Sequence, residues 1–298
     1  MTKAERVLAA IKGQAVDKIP MGEFHLEDGL TAGLLQAAAQ PTEEIDMNAR
    51  IKACELLGLD ALVFMPDHKS AGNEWETLKR WHKQSDFFLF ALIDGPFQGV
   101  YHQYEDFIDF LMDTKRNKEK ITEMAQAVCQ KSIELGQAAL EAGAHGILIA
   151  DDIAFNQGLY VSPATMREMF FPYTKEVIDT LVDCTESGRE SVPFFFHSDG
   201  NLLQILKDLQ VLGFAGIHSL EPVMDMREVR EIVGPDMVLM GGYDLGWFRS
   251  EGVAKAEELL KAVMPGRYIF GSSAGILDST LPAAEVLKVY RFVEETGR

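Results

Sequence analysis

The strongest constraint in this sequence is a rhythm: eight short apolar runs, each leading into a longer stretch of helical periodicity. The runs are Ile19–Phe24, Ala61–Met65, Phe88–Ile93, Gly146–Ala150, Pro193–Phe196, Gly216–Ser219, Met237–Gly241 and Tyr268–Gly271. They are rich in Val, Ile, Leu and Phe with little polar alternation, the pattern of parallel strands buried on both faces. Between them, Lys120–Ala142 and Ala283–Glu295 repeat apolar residues at helical spacing, and Asn201–Leu212 sets Leu202, Ile205, Leu206 and Leu209 on one stripe. Gly58, Gly143 and Gly213 each stand between a helical pattern and the next run, where a left-handed residue ends a helix. No short repeat, low-complexity tract or linker divides the 298 residues. Eight uninterrupted strand–helix units predict an α/β fold, a (β/α)8 TIM barrel in one domain spanning 1–298. A doubly wound sheet is the alternative.

Charge narrows the partners. There are 28 Lys+Arg against 46 Asp+Glu, a net charge of −18. Nucleic acid and anionic membrane surfaces reward a basic face, so neither is an expected partner. A substrate bearing many carboxylates is disfavoured too, unless arginine is concentrated locally. The cysteines Cys54, Cys129 and Cys184 are widely spaced, lie in helix-like stretches and form no CxxC, so they read as small buried apolar residues. The start, Met1–Leu8, reads as a short amphipathic helix, and no apolar run approaches the roughly 20 residues that span a bilayer. A soluble, cytoplasmic protein is expected.

In a barrel, chemistry collects where strands run into the following loops. There the sequence places Glu23 and His25, Asp67 and His68, Asp94, Asp151-Asp152, His197-Ser198-Asp199, His218 and Glu221, Tyr243-Asp244, and Ser272-Ser273. Four of the seven histidines are among them. Polar loops are ordinary, but acidic residues or histidines at seven of eight strand ends are less so. The segment Phe194–Gly200 is the most informative: an apolar strand delivers His197 and Asp199, which at i and i+2 face the same side. Such a pair binds a divalent metal, serves as an oriented acid and base, or is simply a structural histidine beside a helix cap. As metal ligands, imidazole and carboxylate suit Zn²⁺ or another transition ion but need a third partner, for which Glu221, Asp152 and His218 are candidates. Gly241-Gly242 offers close backbone approach to a ligand or merely a tight turn. No GxGxxG, P-loop or GxSxG motif is present.

Several segments together carry a family resemblance. They are Arg6–Gly13 with Val16–Pro20, Asp151-Asp152 with Gly158 and Val161–Pro163, Phe196–Gly200, Ser219–Pro222 with Met224-Asp225, and Gly241–Asp244. The chain resembles the uroporphyrinogen decarboxylase superfamily almost end to end, which implies the same barrel. The decarboxylases of that superfamily process an eight-carboxylate tetrapyrrole with arginines near the first strand. Met21–Leu30 holds Glu23, Glu27 and Asp28 but no Arg, and Ala274 stands where those enzymes carry a histidine.

The corrinoid-dependent methyltransferase branch is therefore the nearer resemblance. Several members hold zinc with a His-x-Cys pair and a distant Cys. Here His197 matches the histidine, Asp199 replaces the first cysteine and Ala274 the second. The resemblance implies a methyl group moved from a small methoxylated donor, aromatic or not, to the cobalamin of a partner corrinoid protein. The implied metal, zinc or another divalent ion, would be held by His197, Asp199 and Glu221. His197, Asp199, Asp152 and Tyr243 are the expected catalytic residues, and Glu23, His25, Asp151, His218, Asp244 and Ser273 the expected substrate contacts. Phe24, Met65, Phe196 and Met240 would pack a ring or only fill the barrel. The expected partners are the corrinoid protein, the methyl donor and a second copy of the chain in a homodimer. The alternatives are a uroporphyrinogen decarboxylase-type decarboxylase and a non-catalytic barrel that binds a corrinoid or small ligand.

Overall fold

All eight apolar runs become strands of one parallel sheet in the computed structural model, which describes residues 1–70, 72–183 and 192–297. The strands are β1 (Gly22–Glu23), β2 (Ala61–Phe64), β3 (Phe88–Asp94), β4 (Gly146–Ala150), β5 (Phe194–Ser198), β6 (Gly216–Ser219), β7 (Val238–Tyr243) and β8 (Tyr268–Ser272). They neighbour one another in chain order, and a Met21–Phe270 bridge brings the last back to the first. The Phe270 N–H donates to Pro20 O at 2.9 Å across that seam. Helices follow the strands on the outside, and the fold is a TIM barrel. Among the described residues, no helix is long and apolar enough to cross a membrane.

Two apolar layers sort the side chains. Phe88, Phe90, Leu148, Phe195, Met240 and Ile269 fill the barrel, and α1 (Lys3–Ile11) closes its floor with Val7 and Ile11. Alternate residues of the same strands, such as Leu89, Ile149, Phe196 and Phe270, face the surrounding helices. This strict alternation decides which residue at each strand end reaches the mouth.

Gly143 and Gly213 end their helices at φ of +105° and +99°, and Gly58 adopts +67°. The helix expected over Asn201–Leu212 begins only at Leu206. The backbone before it is held by side chains instead: Leu203 N–H donates to Asn201 Oδ1 and Leu202 N–H to Met224 Sδ. Gly200 has a φ of +84°, and a Cβ there would come within 2.6 Å of the Ala154 carbonyl carbon. That close approach keeps the turn at the mouth. Cys54 and Cys129 are buried, and burial pushes the Cys54 thiol up to about 12. Cys184 lies outside the described residues.

Glu23 corrects one expectation. It points outward, away from the mouth, and is fully buried beneath the helix Ala283–Thr296. Its Oε1 accepts from Ser272 N–H at 2.5 Å and from the Tyr290 hydroxyl, and its Oε2 from Ser272 Oγ at 2.7 Å. Burial raises its pKa to about 7, outweighing those hydrogen bonds, which act in the opposite direction. The folded chain therefore keeps a proton that the unfolded chain loses above the usual value near 4.5, so this group's contribution to stability falls as pH rises from there towards 7. Glu23→Gln imitates the protonated form. In urea denaturation the wild type is expected to lose stability relative to Glu23→Gln between pH 5 and 7, by up to about 1.4 kcal/mol per pH unit. Parallel stability curves would show that Glu23 is ionised when buried.

Candidate active site at the barrel mouth

Strand alternation builds the site. On β5, Phe195 packs inside the barrel, so His197 and Asp199 follow it inward, while Phe196 packs outside against Phe214. On β4, Leu148 and Ala150 are inside, so Asp152 turns to the mouth. Asp151 turns out and is completely buried under Gly95. On β6, His218 sits in register with His197. Asp152, His197 and Asp199 each present a ligand atom, all within 4.8 Å of one another.

Neighbours fix each member. His197 Nδ1 lies 2.8 Å from His218 Nδ1, and the imidazoles lean against Phe24 with ring centroids 5.4 and 4.6 Å away. His197 Nε2 is 4.0 Å from Asp152 Oδ1, which also accepts the Asp199 N–H at 3.1 Å. Ser219 Oγ is 2.9 Å from both Asp199 Oδ1 and Ser273 O. Ser219 and Leu220 hold φ of +84° and +58°, a left-handed pair with no glycine. Such backbone strain persists only where its surroundings over-determine it, here at the residue that orients Asp199. Behind Asp152, the Gln98 amide links its backbone to the Asp94 carboxylate: Oε1 accepts the Asp152 N–H at 3.1 Å and Nε2 donates to Asp94 Oδ1 at 3.0 Å.

The electrostatics are those of a cation site. Burial holds both imidazoles neutral, with the pKa of His218 pressed down further by His197, while Asp152 and Asp199 pull that of His197 back up. Asp151 is pushed well above the carboxylate range by burial and, less, by Asp152 and Asp94. Its Oδ1 accepts the Gln98 N–H at 2.7 Å, and its Oδ2 has no partner. Among the described residues, no lysine or arginine forms an ion pair with Asp152 or Asp199. A neutral imidazole and two uncompensated carboxylates, each oriented from behind, fit Zn²⁺ or another divalent ion. Ligation through His197 Nε2 requires its Nδ1–H to donate to His218, whose own proton then sits on Nε2.

The remaining expected site residues lie elsewhere. Glu221, expected as a ligand, accepts the Gly200 N–H at 2.7 Å, and Asp152 joins the cluster in its stead. Tyr243, expected to orient substrate, points out between barrel and helices, its hydroxyl donating to Gly252 O at 2.9 Å. Asp244 caps the short helix Leu245–Arg249 through Gly246 N–H. Ser273 contributes its backbone, its N–H donating to Tyr243 O and its carbonyl facing Ser219. His25 lines a separate cavity beside the mouth. Sequence reasoning missed Gln98, for which no motif signals a role. It also missed Tyr160, whose hydroxyl pKa is raised by burial and by the charges of Asp152 and Asp199. Tyr160 stacks on Phe155 at a 5.4 Å centroid distance on the hairpin after β4.

The uroporphyrinogen decarboxylase (URO-D) family model matches residues 55–296, and the chain belongs to that family. No curated protein matches the sequence. Among solved structures, a methyltransferase from Methanosarcina mazei is 19% identical, with a TM-score of 0.75 over 99% of each chain. A B12-independent methionine synthase from Shewanella sp. W3-18-1, in complex with selenomethionine, is 12% identical with a TM-score of 0.57, over 83% of this chain and 84% of its own. At these identities the likeness is one of fold.

The oriented ligands make a quantitative expectation. In calorimetric titration with Zn²⁺, Asp199→Ala should abolish tight binding, and Ser219→Ala, which leaves every ligand in place, should weaken it by about 10–100-fold. Wild-type affinity in both variants would remove the metal from this site.

Proposed function

We propose that the protein is a methyltransferase acting on a methyl group bound to oxygen. The donor is a small methoxylated, aromatic molecule, and the acceptor is the cobalt of a corrinoid carried by a partner protein. The observation that carries this reading is the composition of the mouth: one imidazole and two carboxylates, with no thiolate among them. A thiolate-rich zinc site suits activation of a thiol, whereas nitrogen and oxygen ligands leave a harder, more electrophilic ion suited to an ether oxygen. The similarity in fold to the Methanosarcina methyltransferase supports the same direction.

A methyl ether resists nucleophilic attack because its leaving group is an alkoxide or phenoxide. A divalent ion bound at Asp152, His197 and Asp199 would supply Lewis acidity at that oxygen. The rest is the work of the chain. His218 holds the His197 ring in one orientation and tautomer, and Ser219 aims Asp199. Phe24 packs against both imidazoles. Tyr160 keeps its hydroxyl proton, because burial and the charges of Asp152 and Asp199 disfavour its ionisation. Asp94 and Gln98 hold the Asp152 backbone against the pull of a ligand. Decarboxylation of a polycarboxylate is disfavoured by the same mouth, where Asp94, Asp152 and Asp199 would repel it.

The test is spectral. With cob(I)alamin, Zn²⁺ and a panel of methoxylated aromatics, methylcobalamin should form, and His197→Ala or Asp199→Ala should slow it by on the order of a hundredfold or more. Silence across the panel with the corrinoid protein present would overturn the proposal.

A further inference from the structure

Beside the mouth, β1 and β2 pair over only two residues on each strand, Gly22 with Ala61 and Glu23 with Leu62. Beyond Glu23 the chain leaves β2, and His25–Leu26 pairs with Ile276–Leu277 instead. Where the two paths part there is a cavity of about 300 Å³, at the lower edge of the range for small-molecule sites. Its wall is aromatic and apolar, with Phe24, Phe64 and Trp81 prominent. The Phe24 ring also packs on His197 and His218, so a single side chain separates the cavity from the imidazoles of the mouth.

His25, Thr31, Arg50 and Thr77 interrupt the apolar wall, and two of them, Thr31 and Arg50, offer a ligand polar contacts. Thr31 lines the cavity, is completely buried, and its Oγ1 has no hydrogen-bond partner. A buried hydroxyl without a partner costs on the order of 1–3 kcal/mol, which a bound oxygen would recover. Arg50, which also lines the cavity, is partly exposed, and its guanidinium is held at 2.6 Å by Asp28, itself largely open to solvent. Such an exposed pair contributes little to stability and yields readily to a competing carboxylate. This guanidinium also revises the view of the first strand as lacking arginine: Arg50 arrives there from the helix Met47–Leu56.

We infer that this cavity binds a small aromatic carboxylate, its ring among Phe24, Phe64 and Trp81, its carboxylate at Arg50 and a ring oxygen at the Thr31 hydroxyl. The inference rests on the reading of the donor as a methoxylated aromatic, and it assigns the donor's ring to this cavity, with the methoxy group directed past Phe24. Planarity is selected by the aromatic walls, and negative charge by the guanidinium of Arg50. The guanidinium takes a carboxylate in two parallel hydrogen bonds, a geometry that a neutral ester cannot match.

The probe is 4-methoxybenzoate, titrated by calorimetry into the full-length protein with no corrinoid present, beside its neutral methyl ester. The acid should bind and the ester bind more weakly. Arg50→Gln should weaken the acid by more than about tenfold, the loss expected for a hydrogen bond to a charged group. Thr31→Val, which keeps the side-chain shape, should weaken it severalfold while the circular dichroism of both variants stays native. Binding unchanged in both variants, binding lost only in His197→Ala, or no binding of the acid would overturn the assignment. Binding that follows Arg50 and Thr31 while methyl transfer stays silent would uphold the cavity and fail the methyltransferase reading. Transfer that proceeds at the wild-type rate and KM in both variants would do the reverse.

Discussion

In a closed barrel of parallel strands, a side chain at a strand end has two directions open to it, and everything at this site depends on that choice. Inward residues meet at the mouth, and outward residues are sealed under helices. Asp94, Asp152, His197, Asp199 and His218 share the inward parity of Leu92, Leu148, Phe195 and Phe90, which fill the barrel below them. Glu23, Asp151 and Tyr243 have the outward parity, and each is buried with its polar atoms turned to the helical layer. Adjacent carboxylates such as Asp151 and Asp152 therefore have unrelated chemistry. Asp151 is sealed in the interior, where burial pushes its pKa upward, and Asp152 stands at the mouth with His197 and Asp199.

That division also marks what the sequence could reveal. The eight strands were legible because a strand buried on both faces reads as a continuous apolar run, and each one was found within a few residues of its ends. His197 and Asp199 were legible for a related reason, since residues two apart on a strand share a face. The same rule, continued from Leu148 through Ala150, would have separated Asp152 from Asp151. Glu221 was beyond it. Its direction follows from the left-handed backbone at Ser219 and Leu220, which breaks the alternation just before it. Tyr243 keeps the outward parity of Leu239 two turns of the alternation earlier, so the same rule would have turned it away from the mouth. Gln98 and Arg50 reach their places from helices, where the packing of one element on another sets the position and no local pattern records it.

The site's cost in stability is visible in its surroundings. Two non-glycine residues in left-handed backbone, two neutral buried imidazoles and an unpartnered Asp151 oxygen are all unfavourable features concentrated at one end of the barrel. The other end, closed by α1 with a capping box at Thr2 and Glu5, shows the opposite character. A capped, apolar floor beneath a strained, acidic mouth is the distribution expected where geometry at the mouth is retained for chemistry. The net charge of −18 acquires a local meaning in this light, since uncompensated carboxylates gather where a cation would be held.

The central claim is that this mouth holds its metal with nitrogen and oxygen alone, through Asp152, His197 and Asp199. X-ray absorption at the zinc edge of the Zn²⁺-loaded protein tests it most directly. A shell of nitrogen and oxygen neighbours at about 2.0–2.1 Å, with the outer scattering of one imidazole, is expected. A sulfur neighbour near about 2.3 Å, or a shell left unchanged by Asp199→Ala, would contradict it.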